Sequence, residues 1–211
     1  MPYKFPPIDL NGRAKSFTCD ITVATRSVRT DRSTGFCLGL SGRAQVYDLD
    51  AIKDEWSNLR RPEVKGAKLC SADCCFNASD GTHYFIEFKN ASREGLDRLT
   101  DEDGIPLPIS LMRKAVDSLG LAAMTILQRE TGKSIQDHSV FIVVYRPSVE
   151  DALGALEINT SLTNLSGGVD SLNRAHPIMW SLDELRNLGI YADVHTWPEN
   201  FFVSWATTHL K

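Results

Sequence analysis

The sequence contains no apolar run of about 18 residues, the length a helix needs to cross a bilayer. Its opening stretch, MPYKFPPIDLNGRAK, also lacks the apolar segment of a secretory signal. The expectation is a cytoplasmic chain with no membrane partner. Cysteine is sparse and odd in number, with five residues at 19, 37, 70, 74 and 75. That pattern fits reduced thiols in a cytosol better than a disulfide framework of the secreted kind. The cysteine spacing is not C-x-x-C, and no HExxH helix is present, so zinc chemistry finds no support. There is no G-x-S-x-G elbow and no internal repeat. Gly132-Lys133-Ser134 ends like a phosphate-binding loop, but Leu127 stands where the first glycine belongs.

An overall positive charge is missing as well. The net charge of −4 excludes a protein that coats nucleic acid by charge alone. The balance is uneven, however. Residues 1–70 hold 12 Lys/Arg against 8 Asp/Glu, whereas 71–211 hold 11 against 19. A phosphate-facing surface would therefore draw on Arg26, Arg29, Arg32, Arg43, Arg60, Arg61, Lys65 and Lys68.

What is present suits a soluble α/β chain of 211 residues, 42% hydrophobic and 24% charged. A single domain is expected over 1–211: an N-terminal arm at 1–15, a core at 44–146, and a C-terminal α/β extension of the same sheet at 147–211. Phe17, Cys19, Ile21 and Val23 alternate as in a strand, while the stretch from Thr25 to Gly42 is left unassigned. Val46, Leu49, Ile52, Trp56 and Leu59 follow helical spacing, with Asp48 and Glu55 on one flank of that stripe. A second long helix is expected behind Pro106 and Pro108, with Ile109, Met112, Val116, Leu119, Ala123 and Ile126 as its apolar repeat. Its other face offers Arg113, Lys114, Asp117 and Ser118. HSVFIVVYR reads as a strand buried on both sides. Ser148 to Asp151 caps a short helix before a polar loop at 159–173. Ser181 and Glu184 form a capping box for a helix closed by Gly189. A strand at Tyr191–Trp197 and a helix at Phe201–His209 complete a mixed central sheet flanked by helices.

The chain's chemistry concentrates in residues 66–90, GAKLCSADCCFNASDGTHYFIEFKN: two apolar strand-like runs joined by a polar turn. Asp73 interrupts the first run; Glu87 and Lys89 interrupt the second. Alternation puts Glu87 and Lys89 on one strand face. Charges in so apolar a segment cost several kcal/mol each, roughly, unless paired, hydrated or bound to a metal. With Asn77 to Gly81 as a five-residue loop, Asp73 falls opposite Phe85 or Glu87 and shares their face. A two-residue Asp80-Gly81 turn would instead set it opposite Phe88 and break the group apart.

The resulting pattern, Asp-x(n)-Glu-x-Lys on two adjacent strands, is what metal-assisted phosphodiester hydrolysis asks for. Asp73 and Glu87 supply oxygen ligands for a hard cation, Mg²⁺ or Mn²⁺, with the backbone carbonyl of Phe88 as a further ligand. Lys89 can stand beside the attacking water. On these residues, FIEFKN after CSADCCF above all, the sequence resembles the PD-(D/E)xK nuclease superfamily, with its restriction-endonuclease-like fold, over roughly residues 44–146. The resemblance implies a helix, a hairpin carrying Asp and then Glu-x-Lys, a following helix and a fourth strand. It also implies that Glu55 of the first helix assists, that Lys114 or Ser118 of the following helix contributes, and that the substrate is nucleic acid, DNA before RNA. Restriction, repair or defence against mobile elements is the setting such enzymes imply, and the fold leaves room for a homodimer or larger complex. Ala72 stands where the family pattern has proline. The alternative reading is a non-catalytic binding or assembly protein with a degenerate form of the same fold.

Overall fold

The computed structural model describes residues 17–24, 37, 40–59, 69–91, 96, 99–101, 103–127, 135–146 and 177–210. Along the chain come β1 (Thr18–Asp20), α1 (Ile21–Ala24), β2 (Gln45–Asp48), α2 (Leu49–Leu59), β3 (Cys74–Asn77) and β4 (His83–Lys89). They are followed by α3 (Leu107–Thr125), a 3-10 turn (Ile135–His138), β5 (Ser139–Tyr145), α4 (Pro177–Asn187), β6 (Asp193–Pro198) and α5 (Glu199–His209). The strands form one six-stranded sheet in sequence order. Its pairs from β1 to β4 are antiparallel, and β4, β5 and β6 run parallel. The architecture is the mixed, helix-flanked α/β sheet the sequence implies. Among the described residues no helix is long and apolar enough to cross a membrane.

Strand alternation divides the core in two. Cys75, Phe85, Phe141, Val143 and Val194 face α2, α3 and α4, whereas Cys74, Phe76, Ile86, Phe88, Ile142 and Val144 face α1 and α5. β5 is buried on both sides at the centre of the sheet, which is why its sequence is continuously apolar. On the second face α5 is seated by Trp205, which packs edge-on to Tyr84 and against Trp197 and Phe202. All five cysteines are free, three of them buried.

The β3–β4 turn has five residues, Ala78–Thr82, one position later than the sequence reading placed it. Gly81 takes a left-handed φ of 87° within it. The pairing Cys74↔Ile86, Cys75↔Phe85, Phe76↔Tyr84 and Asn77↔His83 brings Asp73, at the bend before β3, level with Glu87. Of the two registers the sequence left open, the chain adopts the one that opposes these carboxylates.

Other boundaries differ for identifiable reasons. The stretch expected as one helix from Val46 begins as β2, because Val46 pairs with Cys19, and Asp48 then ends the strand as a helix cap. β1 stops at Asp20 and the chain turns into α1, so Ile21 packs inside while Val23 is exposed. α4 starts at Pro177, a residue pre-shaped for a first helical turn, and Ser181 lies within it. Gly189 does close that helix, at φ 67°. The largest difference is in α3. It buries Leu107, Leu111, Ala115, Ser118 and Ala122, while Ile109 is 59% and Val116 46% exposed. The small side chains on the inner face let the helix approach the sheet closely. Their polar members are satisfied: Thr125 donates to the Leu121 carbonyl, and Ser118 is bonded as described below.

The N-terminal arm, Ser148–Asp151, the loop at 159–173 and the basic residues at 26, 29, 32, 60, 61, 65 and 68 lie outside the described residues. Arg43 lies within them and is exposed.

Candidate active site

Local structure at the site begins with α2. Asp48 accepts the Ala51 N–H at 2.9 Å, the geometry of an N-cap three residues from its target, so this carboxylate is taken up in starting the helix. The first helical residue, Leu49, then donates its N–H to the Asp73 carbonyl at 3.3 Å. Asp73 thus sits where the start of α2 meets the end of a short non-strand segment, residues 69–72.

That segment is held by side chains rather than by a neighbouring strand. Cys70 N–H donates to Asp117 Oδ2 at 3.0 Å and Ala72 N–H to Ser118 Oγ at 2.7 Å, both acceptors being on α3. Ser71 donates its hydroxyl to Asp50 on α2. Asp73 itself reaches across to β4, where its Oδ2 accepts the Phe88 N–H at 2.6 Å. Within an extended strand a residue's N–H and C=O lie on the same edge. The Phe88 carbonyl is therefore directed to the side on which Asp73 stands.

Glu87 is the most buried acid of the group, with 1% exposure. Lys89 Nζ lies 2.6 Å and Lys114 Nζ 2.7 Å from the same oxygen, Oε1. The other oxygen, Oε2, has no hydrogen-bond partner, the one buried side-chain polar atom among the described residues of which this is true. The two lysines come from different elements, β4 and α3, and each keeps partial access to solvent.

Electrostatics separates the two acids. Burial pushes the Asp73 carboxyl up, and the neighbouring Glu87 charge adds to the rise. Lys114, Lys89 and the Phe88 N–H oppose it, leaving a value of about 8. Burial also acts upward on Glu87, but Lys114 and Lys89 outweigh it and hold that carboxyl below its ordinary range. For Lys114, burial favours the neutral amine, yet Glu87 and then Asp73 raise its pKa above the usual lysine value. One acid is thus ionised and clamped, and the other is a reluctant anion beside it.

These features fit a divalent cation. An orphaned carboxylate oxygen and a second carboxylate destabilised by the first would both be relieved by positive charge between them. Among the described residues no group of three or more His, Cys, Asp or Glu converges as a metal cluster. A cation here would rest on two carboxylates, a backbone carbonyl and water, which suits Mg²⁺ or Mn²⁺ and not zinc.

Asp73, Glu87 and Lys89 are therefore brought together, and Lys114 joins them. Ser118 acts one step back, positioning the segment that carries Asp73. Glu55 stands half-buried on α2. An α2 carboxylate that bears on the group is Asp50, about 140° around the helix from Glu55. Burial pushes Asp50 up, but hydrogen bonds from Lys53 and Ser71 prevail and lower it, and its charge is felt by Lys114. Sequence reasoning passed over Asp50. The available signal was its place in the first helical turn, two residues after a capping aspartate.

No protein-family model, curated protein or solved structure matches the chain.

Proposed function

We propose that this chain is a divalent-metal-dependent nuclease with a restriction-endonuclease-like core, hydrolysing phosphodiester bonds of nucleic acid, DNA in preference to RNA. Restriction, repair or mobile-element defence is the setting that chemistry serves. The observation that carries the reading is Glu87: a buried carboxylate with both lysines on one oxygen and nothing on the other, level with an acid whose ionisation is penalised. Mg²⁺ or Mn²⁺ held by Asp73, Glu87 and the Phe88 carbonyl would neutralise phosphate charge and acidify a water.

The remaining work falls to the chain's own groups. Asp73 must lose its proton to become a ligand, and the Phe88 N–H holds the carboxylate in place as it does so. Once the Glu87 charge is shared with a cation, Lys89 and Lys114 are held less tightly at Oε1. Their partly exposed side chains can then meet a non-bridging phosphate oxygen. Lys89, one strand position beyond the acid pair, is suited to keep an attacking water deprotonated.

A second reading, a binding or assembly protein that retains the fold without the activity, is favoured by one feature. Both lysines are already paired to Glu87 inside the cluster, in a chain that is acidic as a whole. Titration with Mg²⁺ and Mn²⁺, followed by melting temperature and calorimetry, separates the two. The nuclease reading expects saturable stabilisation of the wild type, none for Asp73→Ala, and cleavage of at least one of single-stranded, duplex, branched or RNA substrates. Metal binding equal in both proteins, or no cleavage of any substrate, would count for the binding protein.

A further inference from the structure

The outer face of α3 has no role in the site. With Val116 taken as its centre, Ile109, Met112, Gly120 and Ala123 all lie within about 40° of the outward direction. Lys114 and Ser118 project from the opposite side. Ile109, Val116 and Gly120 are the exposed members, and the helix ends beside a groove of about 560 Å³ walled by Val116, Gly120, Ala123, Ile135 and Ile190.

Gly120 is the telling residue. Glycine weakens a helix interior, so its presence inside a 19-residue helix asks for a close neighbour. None exists among the described residues: a Cβ built on Gly120 meets nothing within 4 Å, and its backbone is not left-handed. Packing among the described residues does not call for this glycine.

The stripe is also graded. Large residues, Ile109 and Met112, occupy its first half, and small ones, Gly120 and Ala123, its second. We propose that α3 is a self-complementary docking surface through which two copies of this chain pair antiparallel, about a two-fold axis at Val116. In that arrangement Ile109 faces Ala123, Met112 faces Gly120, and Val116 meets its own copy. Ile109 of each copy enters the groove of the other. A parallel pairing would set large against large and leave both grooves empty. Charge agrees with the antiparallel form. Arg113 and Asp117, 3.7 Å apart on one flank, are brought by the two-fold onto the same side as Asp117 and Arg113 of the second copy, about 3 Å apart along the axis. The contact is isologous and closes on itself. Because Lys114 points the other way, pairing leaves both Glu87 centres uncovered.

Sedimentation equilibrium on the full chain tests this. The wild type should be a dimer, and Val116→Asp, which sets two carboxylates on the axis, should raise the dissociation constant by ~100-fold or more. Gly120→Leu should also give monomers while melting no lower than the wild type, separating docking from folding. In an Ile109→Cys/Ala123→Cys double variant, oxidation should link two chains into a species of twice 23.5 kDa, whereas Ile109→Cys alone should not. A monomeric wild type at all concentrations, a Gly120→Leu dimer, or crosslinking by Ile109→Cys alone would overturn the proposal. A groove occupied by another segment of this chain would appear as the first of these.

Discussion

Ser118 accepts the N–H of Ala72 at 2.7 Å, and a helix thereby fixes the residue immediately before a candidate metal ligand. Neither residue touches the reacting groups. Together they determine where Asp73 is presented, because the segment carrying it has no strand partner at that point.

Replacing Ser118 by Ala should leave the buried Ala72 N–H unpaired. The expected loss is ~1–3 kcal/mol of stability, read as a lower urea midpoint. Weaker Mn²⁺ binding should accompany it, since Asp73 loses its support. Unchanged metal affinity in a destabilised variant would show that Asp50 and Asp117 suffice to hold the segment.

Asp73→Asn should stabilise the metal-free protein at neutral pH. The Asp73 carboxyl is raised to about 8, so ionising it in the folded state is penalised. Below its unfolded value, near ~3.9, the acid is protonated in both states and no penalty applies. Between there and pH 8 the penalty grows, and above 8 it is complete. The melting advantage of Asp73→Asn should therefore be absent near pH 4 and widen to pH 8. An Asn carbonyl can still accept the Phe88 N–H. A variant that melts lower than wild type across this range would refute the account.

Glu87→Gln should behave in the opposite sense. The ionised Glu87 is held below its ordinary range, so its contribution to stability is present above the unfolded value and lost as pH falls through the lower, folded one. Gln leaves two ammonium groups against a neutral acceptor. Both lysines keep partial contact with water, so the loss near pH 7 should fall at or below the low end of ~3–5 kcal/mol. The variant should also show a shallower decline in stability below pH 4. Acid melts of the two proteins that run parallel would argue against it.

Asp50→Asn and Glu55→Gln together decide which α2 carboxylate matters. Asp50 accepts Ser71 and its charge reaches Lys114, and it lies about 140° around α2 from Glu55. Mn²⁺ affinity should drop several-fold for Asp50→Asn and stay within about twofold for Glu55→Gln. The reverse ranking would restore Glu55 to the role that the family resemblance implies.

The parts of this fold legible in sequence are those governed by short-range alternation. Glu87 and Lys89 share a face because a strand has period two, and β5 was evident from its uninterrupted apolar residues. A five-residue turn was enough to place Asp73 on the right face, leaving a choice between two registers. What escaped depends on long-range partners. Ala72 bonds to a side chain 46 residues away, which no periodicity records. In α3 the outward face carries Ile109 and Val116, while the buried face includes Ser110, Ser118 and Thr125 among its leucines. Hydrophobicity alone could not choose between them. Asp48 and Glu55 shared a flank on paper, but Asp48 is spent as a cap.

The two lysines on Glu87 Oε1 have one further consequence. With Asp73 ionised, the four charged side chains sum to zero, and with Asp73 protonated they sum to +1. The centre is thus its own counter-ion. A metal-dependent small domain usually cannot order its ligands until the ion arrives, because bare carboxylates repel. Here Lys89 and Lys114 do the neutralising from within, so the hairpin and α3 can assemble in a medium that offers no cation at all.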